Sequence, residues 1–334
     1  MKTTASRMLA ATALVGAGVA TAVAGSLIRQ TERALPEPGL VHAPQTLRET
    51  GLYAGDAIDA SNEAFAPQYP LWTDGAEKQR WIYLPPGTQI DASDPDAWQF
   101  PVGTKLWKEF SFGGVPVETR FMVRTRDGWE FATYVWAGGE AVRTPDGAST
   151  IELAAGVRHR VPSEGECRAC HGNGSSPVLG FSALQLSIDR DPNAPHSQAA
   201  QLDLASLVMT GRIRGVTNIA PRIPGAPVER AALGYLHGNC GHCHRREGAV
   251  ESVGMVLSQS LVEPGRVERT IVGQPSRFMA PALRVQPGAS KLSVVIARMR
   301  SRNPLTQMPP LGTQLVDDEA THLIATWIDQ LATN

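Results

Sequence analysis

The chain has little cysteine, little lysine, no surplus of either charge and, beyond its first 28 residues, no apolar run long enough to span a bilayer. Each shortage excludes something. Four cysteines in 334 residues rule out a disulfide-stapled scaffold. With 31 basic against 32 acidic residues the net charge is −1, so counterion release gives no drive toward nucleic acid, and no nucleic-acid partner is expected. Only five of the basic residues are lysine, too few for a Lys-rich docking ring. What the chain does have is a globular share of hydrophobic residues, 42 %, together with 32 Gly and 25 Pro, which announce many turns and loops.

The N-terminus carries Lys2 and Arg7, then no charge from Met8 to Ile28, closing on Ala22-Val23-Ala24 before Gly25. Residues 1–28 therefore read as an export leader, either a cleaved signal peptide or a retained membrane anchor, and place the rest of the chain in the periplasm. No Cys lies near residue 25 to take a lipid. Residues 29–61, with Pro36, Pro38 and Pro44, read as a linker or a wrapping segment.

Six of the seven tryptophans fall between Leu71 and Trp136. Strand-like runs at Trp81–Leu84, Thr104–Phe112, Thr119–Arg126 and Trp129–Trp136 are separated by Pro-Gly, Gly-Gly and Asp-Gly turn signals, so residues 62–160 are expected to be all-β. The aromatics serve either as a ligand-stacking face or as the filling of a small sandwich or barrel. After residue 160 helical patterns take over. Asp203–Thr210 is ended by Gly211, Pro227–Asn239 opens on proline, Ser290 caps a stripe of Leu292, Val295, Ile296 and Met299, and Asp317 caps a stripe of Leu323, Trp327, Ile328 and Leu331. The expected class is α+β: an N-terminal all-β sandwich or barrel followed by a mainly α-helical region, with residues 161–226 and 227–334 as its two parts.

All four cysteines lie in two C-x-x-C-H motifs, Cys167-Arg168-Ala169-Cys170-His171 and Cys240-Gly241-His242-Cys243-His244. The spacing has a chemical reason. Two thiols add across the two vinyl groups of one porphyrin, and the adjacent imidazole then ligates the iron, so two covalently bound haem c groups are expected. A structural zinc would need four ligands brought together and would leave His171 and His244 idle, and a thioredoxin-type pair would leave the second motif unexplained. Met308, held in Gln307-Met308-Pro309-Pro310, is the expected sixth ligand of the second iron; a buried core methionine is the bland reading. For the first iron the open choices are Met209, Met122, His159, His196, His237, Met255 or no protein ligand. Arg298, Arg300 and Arg302 read equally as partners for haem propionates and as an exposed helix edge.

Residues 227–334 resemble a class I cytochrome c domain in their helix, C-x-x-C-H motif, Met-Pro-Pro loop and C-terminal helix ending in Trp327-Ile328. The resemblance implies that Ala231 and Tyr235 cross the last helix near Trp327. More broadly, residues 60–334 resemble a family of dihaem c-type cytochromes with a tryptophan-rich leader domain. That likeness rests on Pro70–Lys78, Phe100–Thr104 and Val161–Ser163, and it implies one-electron transfer between protein redox partners rather than bond-making catalysis. The rival expectation is a dihaem peroxidase-like enzyme with an open first haem, for which Glu164, Glu166 and His159 are the neighbouring acid or base groups.

Overall fold

The structure is a computed structural model and describes residues 43–152, 158–172, 176–279 and 281–333; the leader at 1–28 lies outside the described residues. Its centre is one antiparallel sheet of six strands in the order Glu63–Ala64, Glu77–Tyr83, Lys105–Phe112, Val115–Arg124, Trp129–Ala137 and Glu140–Arg143. The chain enters through a two-residue pair, β1 (Tyr53–Ala54) and β2 (Ala57–Ile58), and reaches the sheet with β3 (Glu63–Ala64) and β4 (Glu77–Tyr83). A short β5 (Ile90–Asp91) leaves it, and β6 (Lys105–Phe112), β7 (Val115–Arg124), β8 (Trp129–Ala137) and β9 (Glu140–Arg143) continue as a meander. Its tight turns are dictated by glycine. Gly113-Gly114 and Gly138-Gly139 both take positive φ, the geometry that matches the twist of two-residue hairpins.

Both faces of the sheet are covered. One face presents Trp81, Trp107, Phe121, Val123, Ala132 and Tyr134 to a core closed by Leu47 and Leu52. Residues 43–61 thus wrap this face, and Trp107 Nε1 donates a 2.8 Å hydrogen bond to Thr50 Oγ1. The other face presents Ile82, Leu106, Met122 and Phe131 to a second core with Cys167, Val178, Phe181 and Leu186. A third core joins Tyr69 to the later helices through Leu233, Leu236, Ile296, Ile324 and Trp327. The tryptophans are therefore distributed among three cores rather than lined up as one stacking face.

Beyond the sheet, β10 (Ala148–Glu152) pairs with β11 (Arg158–Val161), and β12 (Ile213–Arg214) runs parallel to β5. The helices are α1 (Glu164–His171), α2 (Leu204–Met209), α3 (Pro227–Asn239), α4 (Arg266–Ile271), α5 (Val294–Arg300) and α6 (Asp318–Gln330). α3 and α6 pack together, with Ala231 and Trp327 both buried and Tyr235 Oη donating to Asp317 Oδ2 at 2.9 Å.

This corrects the expected fold class. The β region is one six-stranded sheet with short two-stranded pairs beside it, not a sandwich or barrel, and the chain beyond residue 160 is not a mainly helical cytochrome c region. Helix and strand each account for only 22 % of the described residues. The apolar stripes are real but brief: Gly211 and Gly273, both at positive φ, follow directly on the ends of α2 and α4. The described residues cluster as one compact unit, since the sheet shares its cores with the segments after residue 160. None of the described helices is long and apolar enough to cross a membrane.

Candidate functional site

The first C-x-x-C-H motif forms most of α1. Ser163 caps the helix, its Oγ accepting from Glu166 N while the Glu166 carboxylate accepts from Ser163 N, a reciprocal box that fixes where the helix begins. The Arg143 guanidinium at the end of β9 grips Glu164 with two bonds of 2.7 and 2.9 Å. These contacts lay α1 on β8, so that Cys167 is buried with Sγ 3.9 Å from Thr133 Oγ1. His171 closes the helix. Its Nδ1 lies 2.8 Å from the Pro177 carbonyl, which can only accept, so Nδ1 carries the proton and Nε2 keeps a free lone pair. Burial pushes the imidazole pKa down to about 4 and keeps that lone pair available at neutral pH.

The second motif begins where α3 ends. Cys240 caps the helix, and His244 N donates to Cys240 O at 3.0 Å, folding the pentapeptide into a turn. The strap Tyr69–Gly75 positions this helix end. Asn239 Oδ1 accepts from Trp72 N at 2.7 Å and its Nδ2 donates to Pro70 O, while Tyr69 lies so close to α3 that a Cβ on Gly234 would stand 2.0 Å from its ring. His244 Nδ1 is buried without a hydrogen-bond partner of good geometry.

The fold brings the two motifs together. Donor atoms of Cys170, His242 and Cys243 all lie within 4.8 Å of one another. The thiol of Cys170 is pushed up to about 12, first by its hydrogen bond to Cys243, and Cys243 is held below the usual thiol range by the same bond. Arg245, beside His244, donates to Ser176 O at 3.2 Å and ties the second motif to the segment after the first.

At this junction lies a cavity of about 520 Å³, within the range of ligand pockets. It takes in Cys167, Cys170 and His171, and Gly241 and His242 of the second motif, against Met122 and Phe131 of the sheet. Neither His244 nor Met308 lines it. Met308 is half-buried after α5, its N–H donating to Arg298 O at 3.0 Å.

Among the choices for the first iron, Met122 is buried and borders the cavity with His171. Met209 is 80 % exposed and does not line the cavity. His159 is occupied by Glu118 at 2.7 Å, His196 by Asp317 at 2.9 Å, and His237 uses Nδ1 to accept from Gln259 N. Met255 is half-buried against the third core. Arg298 stacks over the Phe278 ring, Arg302 donates to the Met299 carbonyl and Arg300 is exposed, so none of the three lines the cavity.

No protein-family model, curated protein or solved structure matches the chain. Function is therefore to be read from the geometry. A covalently held porphyrin needs two thiols, a neutral imidazole with one free nitrogen and a largely apolar cavity beside them, and the first motif supplies all of these. At the second motif the thiols and imidazole are present, and the buried Nδ1 of His244 is the atom that such a ligand would use to fix its ring.

Proposed function

We propose that the chain is a dihaem c-type cytochrome that passes single electrons between protein partners outside the cytoplasm. The observation that carries this reading is the meeting of Cys170 with His242 and Cys243, because it makes the two attachment motifs neighbours across 73 residues of sequence (240 − 167). Cys167 and Cys170 would hold one cofactor with His171 as its ligand, and Cys240 and Cys243 the other with His244 and Met308. Bound there, haem iron supplies reversible one-electron exchange at a potential set by axial ligand, burial and nearby charge. The protein's own part is positional: the Pro177 carbonyl holds His171 in one tautomer, α1 presents its thiols to the sheet face, and the Tyr69–Gly75 strap holds the α3 terminus against the same junction.

The test is to express the full chain with haem-attachment machinery and count haem per chain by optical spectrum and mass. Two haems are expected, one after Cys167→Ser with Cys170→Ser, and one after the matching pair at Cys240 and Cys243. A chain without covalent haem overturns the reading. With the haems in place, Met308→Ala should turn one of them high-spin and Met122→Leu should alter the other, if these two sulfurs are the sixth ligands.

The three-donor set Cys170, His242 and Cys243 favours a second reading, a zinc ion held by two thiolates and one imidazole. Stoichiometric zinc that is lost on Cys243→Ser, with no haem attached, would select it.

A further inference from the structure

The sheet face that looks into the cavity carries a row of basic side chains, and burial together with the neighbouring guanidinium groups pushes the pKa of the central one, Lys108, well down. Strand register sets Arg80 opposite Lys108 and Lys108 opposite Arg120, and the next residue across is Thr133, the neighbour of Cys167 Sγ. All three cations line the cavity that holds Cys167, Cys170 and His171. Directly opposed like charges destabilise a sheet, so such a row needs a compensating partner.

The protein does not provide enough. Glu118, on the same face, is already shared between Arg120 and His159. Arg80 is only 6 % exposed, and among the described residues its side chain makes a single hydrogen bond, of 3.5 Å, to Gln198. Among the same residues Lys108 has no ion pair and no side-chain hydrogen bond, and its Nζ lies 4.9 Å from the centre of the Phe110 ring. Three carboxylates line the cavity: Glu166 is taken by Arg160 at 2.6 Å, Asp96 accepts from Ser260 Oγ and Leu261 N, and Glu247 has no side-chain hydrogen bond or ion pair among the described residues.

We propose that Arg80, Lys108 and Arg120 form a carboxylate-binding wall that holds the acidic edge of the group seated beside Cys167, Cys170 and His171. The proposal rests on the dihaem reading, which makes the carboxylates the two propionates of the first haem. A porphyrin tied through its vinyl carbons keeps both propionates on the ring edge away from the thiols. The row begins beside Cys167 and runs across the sheet for three strand spacings, roughly 14 Å, which is the direction those carboxylates require. The Arg80 guanidinium offers a fork that matches carboxylate geometry, while Arg120, whose Nε and Nη2 hold Glu118, has its remaining N–H groups to offer. The same chemistry could come from a free polycarboxylate in the cavity, and the experiment separates the two sources.

The experiment compares Lys108→Met and Arg80→Gln with Arg80→Lys and with Lys291→Gln, an exposed lysine outside the cavity lining. In the haem-loaded chain, Lys108→Met and Arg80→Gln should each cut the reduction equilibrium constant of one haem about tenfold, 59 mV for a one-electron couple. The other haem should stay put, Arg80→Lys should restore most of the loss, and Lys291→Gln should change neither. In the haem-free chain Lys108→Met should raise the melting temperature, because it relieves the row. Two haems with potentials no different from the Lys291→Gln control overturn the proposal and leave the dihaem reading standing. No haem, but stabilisation of the chain by citrate that Lys108→Met abolishes, keeps the wall and assigns it to a free anion. No haem and no response to citrate overturns both.

Discussion

The two C-x-x-C-H motifs have the same chemistry and different supports. The first lies in a capped helix held on a sheet face, with its histidine fixed by the Pro177 carbonyl and its thiols opening into a cavity. The second hangs from the end of α3, is fixed by a strap 167 to 169 residues earlier in the chain, and keeps His244 out of the lining of that cavity. The same five-residue pattern thus sits in two different surroundings. One setting is cationic and sheet-walled, the other is a helix terminus in an apolar core.

The sheet-walled setting is most vulnerable at Glu118. Its carboxyl is fully buried; burial alone would raise its pKa, but Arg120 and the hydrogen bond from His159 hold it below the ordinary value. Glu118→Gln leaves Arg120 without its counter-charge beside two other cations, and should cost about 3–5 kcal/mol in urea denaturation. Haem count at the second motif is the control and should not change before the chain unfolds. An unchanged denaturation midpoint would mean that the sheet-side network contributes nothing.

The helix-end setting is disturbed through its close approach. Gly234→Ala drives a methyl group into the Tyr69 ring, with an expected loss of about 1–3 kcal/mol. Amide exchange should accelerate in α3 more than in α1. Equal acceleration in both helices would show that the strap does not act locally.

A milder effect is one of pH. His196 holds Asp317, the cap of α6, and its own pKa is raised above 6.5, first by that hydrogen bond. Burial alone would raise Asp317, yet the bonds from His196 and Ala320 N keep it below 3.8. A raised histidine contributes stability that is complete below pH 6.5 and lost as pH climbs through its folded value. A depressed aspartate contributes stability present above pH 3.8 and lost on acidification. The pair therefore supports the fold best between about pH 4 and 6.5, by about 1 kcal/mol or less. His196→Asn should flatten the alkaline side of that profile in thermal melts, and a profile that keeps its slope would assign it elsewhere.

Much of the local structure was legible. The β7–β8 hairpin turns at Asp127-Gly128, α3 spans Pro227–Asn239, and Asp317 caps its helix through a side-chain oxygen, because these are short-range rules of turn and cap chemistry. Leu292 shows where the helical stripe misled: the α-helix starts only after Ser293, and Leu292 is 69 % exposed in a 3₁₀ turn. The side on which Met122 lies could not be read, since Phe121 and Val123 are equally buried on the opposite face and a sheet covered on both sides shows no alternation. The cationic row was invisible for a related reason. Arg80, Lys108 and Arg120 are far apart in sequence, and only strand register makes them neighbours.

The strap that ties Tyr69 and Trp72 to α3 also sets a timetable. Its bonds to Asn239 and Arg230 close loops of 161 to 169 residues, and Asp74 accepts from Gln314 and Leu315 across 240 and 241. Contacts of such sequence separation form late and slowly. The strap cannot secure α3 until residue 239 has emerged, and a fragment cut at residue 226 would release its second half without the segment that anchors it. On the proposed function, haem attachment at Cys240 and Cys243 therefore takes place either on a loosely held terminus or on a finished molecule, and the order of those two events is a property of this chain's topology.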